Sequence, residues 1–134
     1  MSHLTKVRME IKRLDILKGV LRGMGLHLDE TNKTLQGRYI GSVNCEGVIT
    51  RKGEKATMTN SAGLQKNPNG SYQIVMDNYG NDLTREAGRD CSGVTRGYAE
   101  QLAKNEMANA GYMLHDQSID QKTGDMVLQF SSLN

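Results

Sequence analysis

The stretch Arg13-Leu14-Asp15-Ile16-Leu17-Lys18-Gly19-Val20-Leu21-Arg22-Gly23-Met24-Gly25-Leu26-His27-Leu28 decides the fold. Leu14, Leu17, Leu21 and Met24 fall on one helical stripe, which Ile16 and Val20 widen. Arg13 to Met24 therefore reads as an amphipathic helix. Gly25 supplies the left-handed conformation that commonly ends a helix, and Leu26-His27-Leu28 leaves as a strand. The same unit returns near the other end of the chain. Thr95 to Ala110 carries Tyr98, Ala99, Leu102, Ala103, Met107 and Ala110 on one stripe, Gly111 stops it, and Tyr112-Met113-Leu114-His115 leaves as a strand. The alanines make this second helix flat enough to lie close against a sheet.

Outward from these units the period changes to two. Thr5, Val7, Met9 and Ile11 alternate with Lys6, Arg8 and Glu10, the pattern of a half-buried strand over Thr5 to Ile11. The middle of the chain offers short strands at Arg38 to Val43, Gly47 to Thr50 and Lys55 to Thr59. Asn67-Pro68-Asn69-Gly70 is a strong turn signal. Beyond it, Ser71 to Asn78 sets Tyr72, Ile74 and Met76 against Gln73, Val75 and Asp77. Val75 being apolar predicts that both faces of this strand are at least partly covered. Residues 79–93 read as a polar, Gly-rich loop, with Ser92 or Thr95 as the cap of the second helix. Tyr112 to Ile119 and Met126 to Phe130 form a hairpin across Asp120 to Asp125.

The order is thus β-α-β, a β-rich middle, then β-α-β-β. Two amphipathic helices need a shared apolar surface, and an antiparallel sheet supplies one. The expected class is α+β, with both helices on one face of a mostly antiparallel sheet in an elaborated ferredoxin-like arrangement. At 134 residues the chain is expected as a single domain over 1–134, large enough to bury a core without metal or disulfide staples.

No apolar run approaches the roughly 20 residues that span a bilayer, and Met1 to Lys6 lacks a signal-peptide stretch. Two distant cysteines do not suggest a disulfide framework. These features predict a cytoplasmic protein with no membrane partner. The net charge of +2 hides an asymmetry: residues 1–66 hold twelve Lys/Arg against six Asp/Glu, and residues 67–134 hold five against nine. Interleaving of the two halves in one sheet would erase that dipole.

Candidate chemistry is sparse. Gly88-Arg89-Asp90-Cys91-Ser92-Gly93-Val94-Thr95 has the glycine spacing of a phosphate loop, but Val94 stands where lysine must reach the phosphates. An ordinary turn into a helix explains it. His27, His115, Cys45 and Cys91 form no pair at metal-ligand spacing, although the repeated unit puts His27 and His115 in comparable strands, where they would share a sheet face. Asp77, Asp82, Glu86 and Asp90 surround a Gly-rich loop without the fixed positions of a calcium loop. Cys91, beside Arg89 and near a helix start, is a candidate for a lowered pKa, with no histidine identified as its base. No catalytic, cofactor-binding or metal residue is assigned. Lys6, Arg8, Lys12 and Arg13 are candidate nucleic-acid contacts, on a strand face with little aromatic support.

Several landmarks occur together and in order: Met1-Ser2-His3, a strand and Leu-rich helix, Gly63-Leu64-Gln65-Lys66-Asn67-Pro68-Asn69-Gly70-Ser71-Tyr72, Val75-Met76-Asp77-Asn78-Tyr79-Gly80, Tyr98-Ala99 and Gly111-Tyr112. In this the chain resembles the hypothetical chloroplast reading frame thirty-five family. These are small proteins of cyanobacteria and algal plastids, with relatives in other bacteria and phages, and no established activity. The family usually shows Trp where Asn78 and Tyr79 stand and Phe where Leu4 stands, so the chain is similar to a divergent member. The resemblance implies one full-length domain and brings no catalytic residues or cofactor. Some members are associated with genes for AAA-type ATPases, which implies an adaptor role with such an ATPase as partner. It also nominates Tyr72, Asp77, Tyr79, Gly80, Tyr98 and Tyr112 as a family-defining surface.

The reading that follows is a non-catalytic accessory or adaptor protein acting through protein–protein contact, by an exposed edge strand or as a homodimer. The alternatives are a nucleic-acid-binding protein using the basic N-terminal strand face, and a small metal-binding or metal-free enzyme using His27, His115, Cys91 or the loop from Asp77 to Asp90.

Overall fold

A computed structural model describes residues 4–6, 9–37, 41–77 and 80–132. The chain divides into two compact units, Met1–Thr95 and Arg96–Asn134. The first holds β1 (Leu4–Lys6), α1 (Leu14–Gly23), β2 (Leu26–Asp29), β3 (Thr34–Gly37), β4 (Gly41–Asn44), β5 (Gly47–Arg51), β6 (Ala62–Lys66), β7 (Tyr72–Asp77), the short helix α2 (Thr84–Ala87) and a 3₁₀ turn at Arg89–Cys91. Helix α3 (Ser92–Asn109) begins there and runs on into the second unit, which adds β8 (Tyr112–Ile119) and β9 (Met126–Ser132).

The α+β class and the antiparallel sheet are as expected. Five strands lie in the order β1-β7-β6-β5-β2, every neighbouring pair antiparallel. The order differs from a ferredoxin-like one in that, among the described residues, β8 and β9 pair only with each other and not with the five-stranded sheet. Register sorts the first unit's sheet into two faces. Leu28 opposes Ile49, Ile49 opposes Ala62 and Leu64 opposes Ile74, so Leu26, Leu28, Ile49, Leu64, Ile74 and Met76 share one face, all buried. Helix α1 packs beside β2 and buries Ile16, Leu17 and Leu21 on this face. The 3₁₀ turn reaches the same face, where the Cys91 thiol meets Met76 Sδ at 3.5 Å.

The opposite face carries Val48 and Val75 with Gly63 between them. The two-stranded ribbon β3–β4 covers it, and Leu35, Cys45, Val48 and Val75 form a buried cluster flanked by Val43 and Ala56. Both faces are therefore covered, as the apolar Val75 foretold. A Cβ at Gly63 would stand 3.2 Å from Val75 Cγ2 and 3.3 Å from Leu35 Cδ2, so the ribbon seats where the sheet has no side chain.

Several boundaries move for local reasons. The expected strand Thr5 to Ile11 is shorter. Leu4–Lys6 pairs with β7, and Ile11 makes a separate two-way bridge to Tyr72 with both N–H···O distances 2.7 Å. Val7 and Arg8 lie outside the described residues, as do the first three residues of the expected strand Arg38 to Val43. Lys55 to Thr59 is not a strand, because Asn60 takes its backbone: the Asn60 carboxamide oxygen accepts the Thr57 N–H at 2.7 Å and its NH₂ donates to the Lys55 carbonyl at 2.9 Å. The strand lies instead at Ala62–Lys66. The expected loop 79–93 contains α2 and the 3₁₀ turn, and α3 starts at Ser92. Both repeated units hold, with Gly25 at φ +74° and Gly111 at φ +90° ending their helices.

Gly63→Ala is expected to lower unfolding stability by about 1–2 kcal/mol, since the added methyl meets two buried side chains. Gly19→Ala, where a Cβ meets nothing within 4 Å on exposed α1, is expected to raise it by about 0.5–1 kcal/mol. Urea titrations of the two variants against the parent check both signs.

Candidate functional site

Of the nominated surface residues, Tyr72, Asp77 and Gly80 belong to the first unit and Tyr98 and Tyr112 to the second. Tyr72 and Asp77 sit at opposite ends of β7, about 17 Å apart for five residues of extended chain. Tyr72 is half-buried, Asp77 is buried, and Gly80 is exposed at φ +63°. Tyr79 lies outside the described residues. Tyr98 and Tyr112 belong to the second unit, where Tyr98 is 1% exposed and Tyr112 40%. Of the basic candidates, Arg8 lies outside the described residues, as does the Lys6 side chain, and Lys12 is exposed. Arg13 is engaged by Asp15, its guanidinium donating to both carboxylate oxygens at 3.0 and 2.8 Å.

Cys91 does not have the lowered pKa for which its sequence position makes it a candidate; it is a buried structural thiol. Burial pushes its thiol up to about 12, and the Asp90 carboxylate adds to the rise. Asp90 and Cys91 both hold left-handed backbone, φ 56° and 57°, which costs about 1 kcal/mol or more per non-glycine residue. The conformation turns the sulfur into the core among Met76, Leu83, Ala87 and Val94, all fully buried. Cys45 is buried too, and burial likewise raises its thiol. His27 and His115 do not share a sheet face: one is in β2 of the five-stranded sheet, the other at the register shift of the β8–β9 hairpin. Among the described residues, no three His, Cys, Asp or Glu side chains converge as a metal site would require.

Two polar arrangements in the first unit escaped the sequence reading. Arg51, at the end of β5, donates from Nε to Glu86 at 2.7 Å, from Nη1 to Asp82 at 2.9 Å and from Nη2 to the Asp82 carbonyl at 2.7 Å. Glu54 adds a longer contact at 3.3 Å. The pairing holds the Glu86 carboxyl below its ordinary value. Asn81, 5% exposed, donates to the carbonyls of Ser61 and Asp77 and accepts the Leu83 N–H. Together these side chains fasten the segment carrying α2 to the sheet. The other is a cleft of about 240 Å³ lined by His27, Asp29, Asn32, Thr50, Glu54 and Lys55. Its carboxylates are already held: Asp29 by the Thr31 N–H and hydroxyl, which lower its pKa, and Glu54 by Arg51 and Asn60.

The second unit offers a different chemistry. The β8–β9 register places Tyr112, Leu114, Gln117 and Ile119 of β8 on one face with Leu128 and Phe130 of β9. Arg96, Ala99, Glu100 and Ala103 of α3, with Asp125, Leu128 and Phe130, line a groove of about 520 Å³. Its floor is apolar and its rim is charged by Arg96, by Asp125 and by Glu100, which pairs with Lys104 at 2.8 Å. Leu128 and Phe130 are half-buried, while Ile119 is 51% exposed. Among the described residues, Tyr112, Met113, Ile119, Val127 and Met58 are the exposed large apolar side chains, and all but Met58 lie on this hairpin. The alternating pattern of the hairpin was legible in sequence; the groove lined by α3 and β9 was not.

Fold and surface thus define an α+β protein whose buried polar groups serve structure and whose uncommitted surface is an apolar hairpin and groove. The family model of proteins of unknown function (DUF1257) matches residues 20–128, and the chain belongs to that family. Neither a curated protein nor a solved structure matches the chain. No described helix is long and apolar enough to cross a membrane.

Both thiols are expected to resist a water-soluble disulfide reagent at pH 8 in the folded protein and to react together on unfolding. Fast reaction of one thiol in native protein would contradict the buried geometry. The Arg51–Glu86 pair carries a pH signature. Because the folded pKa of Glu86 lies below its ordinary value of 4.5, its contribution is complete above that value and is lost as pH falls through the lower folded pKa. Glu86→Gln is therefore expected to flatten the fall in stability below about pH 4.5, measured by urea unfolding across the acid range.

Proposed function

We propose that this protein is a non-catalytic accessory or adaptor that works inside the cell by holding another protein against the unit Arg96–Asn134. The observation that carries the reading is an open groove lined by Leu128 and Phe130, on the hairpin face that also carries the exposed Tyr112 and Ile119. Exposed apolar patches with charged rims are the ordinary signature of protein contact surfaces. A segment with two or three apolar side chains would lie along Ala99, Ala103, Leu128 and Phe130, with Arg96 and Asp125 orienting its polar groups. Within the family we place the chain as a divergent member of the chloroplast reading frame thirty-five type, and the partner class implied by that resemblance is an AAA-type ATPase.

The test is capture of partners on tagged full-length protein from host extract, with and without nuclease, compared between the parent and Ala99→Arg or Ala103→Arg. The expected result is a stoichiometric protein that survives nuclease and falls at least tenfold in both variants at unchanged thermal stability. Recovery of nucleic acid alone, lost at high salt, would overturn the reading. So would a partner held equally by parent and groove variants.

A further inference from the structure

The outer edge of β8 is a separate surface from the groove. An isolated two-stranded hairpin is marginal in water and is normally completed by a further strand or a covering helix. Here β8 is the more open strand, with seven of its eight residues exposed. Among the described residues β8 pairs only with β9. Tyr112–Ile119 contains no proline, lysine or arginine, the residues that usually blunt an exposed edge.

One irregularity guards the edge. The pairing shifts between Leu114 and Asp116, leaving His115 as an extra residue. That insertion switches which residues face the apolar side, from Tyr112 and Leu114 before it to Gln117 and Ile119 after it. An ordinary regular strand laid along β8 would match one half and mismatch the other. A strand with the same insertion at its centre, running antiparallel, matches both halves. β8 itself is such a strand.

We infer that β8 pairs antiparallel with β8 of a second copy of this chain about a two-fold axis between His115 and Asp116, joining two hairpins into one four-stranded sheet. In this register Tyr112 opposes Ile119, Met113 opposes Ser118, Leu114 opposes Gln117 and His115 opposes Asp116, each pair occurring twice. The apolar side of one strand meets the apolar side of the other along its whole length. A slip of one residue either way sets Tyr112 against Ser118 or Met113 against Ile119, which puts opposite faces together and loses the match. At the axis the imidazole of each copy meets the carboxylate of the other, a hydrogen-bond donor facing an acceptor where the two insertions coincide. Tyr112 and Ile119, 40% and 51% exposed, become neighbours across the seam. The isologous contact closes on itself and leaves no further edge of β8 for growth.

The register is tested with full-length protein carrying Met113→Cys and Ser118→Cys under mild oxidation. Within one chain these positions are about 17 Å apart along a strand, too far for a disulfide, and the native thiols are buried. The expected product is a covalent dimer whose linked peptides join position 113 to position 118. Sedimentation equilibrium of the unaltered chain is expected to show a reversible monomer–dimer equilibrium. Asp116→Lys raises its dissociation constant about tenfold, and adding His115→Asp to that variant restores it. A strictly monomeric chain up to millimolar concentration overturns the inference, as does a dimer without the 113–118 link or insensitive to Asp116→Lys. Ala99→Arg is expected to leave the dimer intact, so loss of partner capture and loss of self-association are read independently.

Discussion

Strands β5, β6 and β7 are apolar on both faces, and that single constraint organises the first unit. Gly47 to Thr50, Ala62 to Leu64 and Ile74 to Asp77 are all buried. A sheet with Val48 and Val75 on one face and Ile49, Leu64, Ile74 and Met76 on the other cannot leave either side in water without exposing apolar side chains. The chain supplies one cover from each side of the β5–β6–β7 meander. Helix α1 and the 3₁₀ turn close one face, and the β3–β4 ribbon closes the other. The absence of a side chain at Gly63 decides how closely the ribbon approaches, since Leu35 occupies the space that a Cβ would take.

Covering a face with short, polar segments needs ties beyond apolar packing, and Arg51 and Asn81 supply them. The guanidinium spends its donors on Glu86, Asp82 and Glu54, and Asn81 spans from the start of β6 to the end of β7. Both side chains convert a Gly-rich segment into a fixed lid on the sheet. The left-handed pair Asp90-Cys91 is intelligible on that footing. Its backbone cost is offset by delivering a fully buried sulfur to Met76. The glycine spacing that resembles a phosphate loop belongs to a core-filling turn into α3, as the missing lysine at Val94 indicated.

What was legible in sequence was periodicity. The stripes of α1 and α3, the alternation in β7 and the final hairpin all announced themselves, and Gly25 and Gly111 marked the helix ends. The misses share a cause: tertiary pairing overrode local propensity. Ala62-Gly63-Leu64-Gln65-Lys66 looks unlike a strand, yet its small residues are what a strand pressed between β5, β7 and the ribbon requires. Lys55 to Thr59 looks like a strand, yet Asn60 captures its backbone in a turn. The nominated tyrosines and Asp77 came from resemblance, and distance along β7 alone separates two of them. No spacing rule in the sequence reports the groove that α3 and β9 line.

That last point bears on how the two units differ. Among the described residues of the first unit, Met58 is the one exposed large apolar side chain. In the second, α3 brings alanines rather than bulky side chains to the hairpin. Alanine has no reach, and a helix faced with it leaves a groove rather than a filled core. Bulky residues at positions 99 and 103 would close the groove and bury Leu128 and Phe130, as helices in enclosed layers do. Among the described residues β8 pairs only with β9, and the insertion at His115 shifts its register at the centre. A regular strand laid along such an edge matches the faces of one half and mismatches those of the other, because the side-chain period is two.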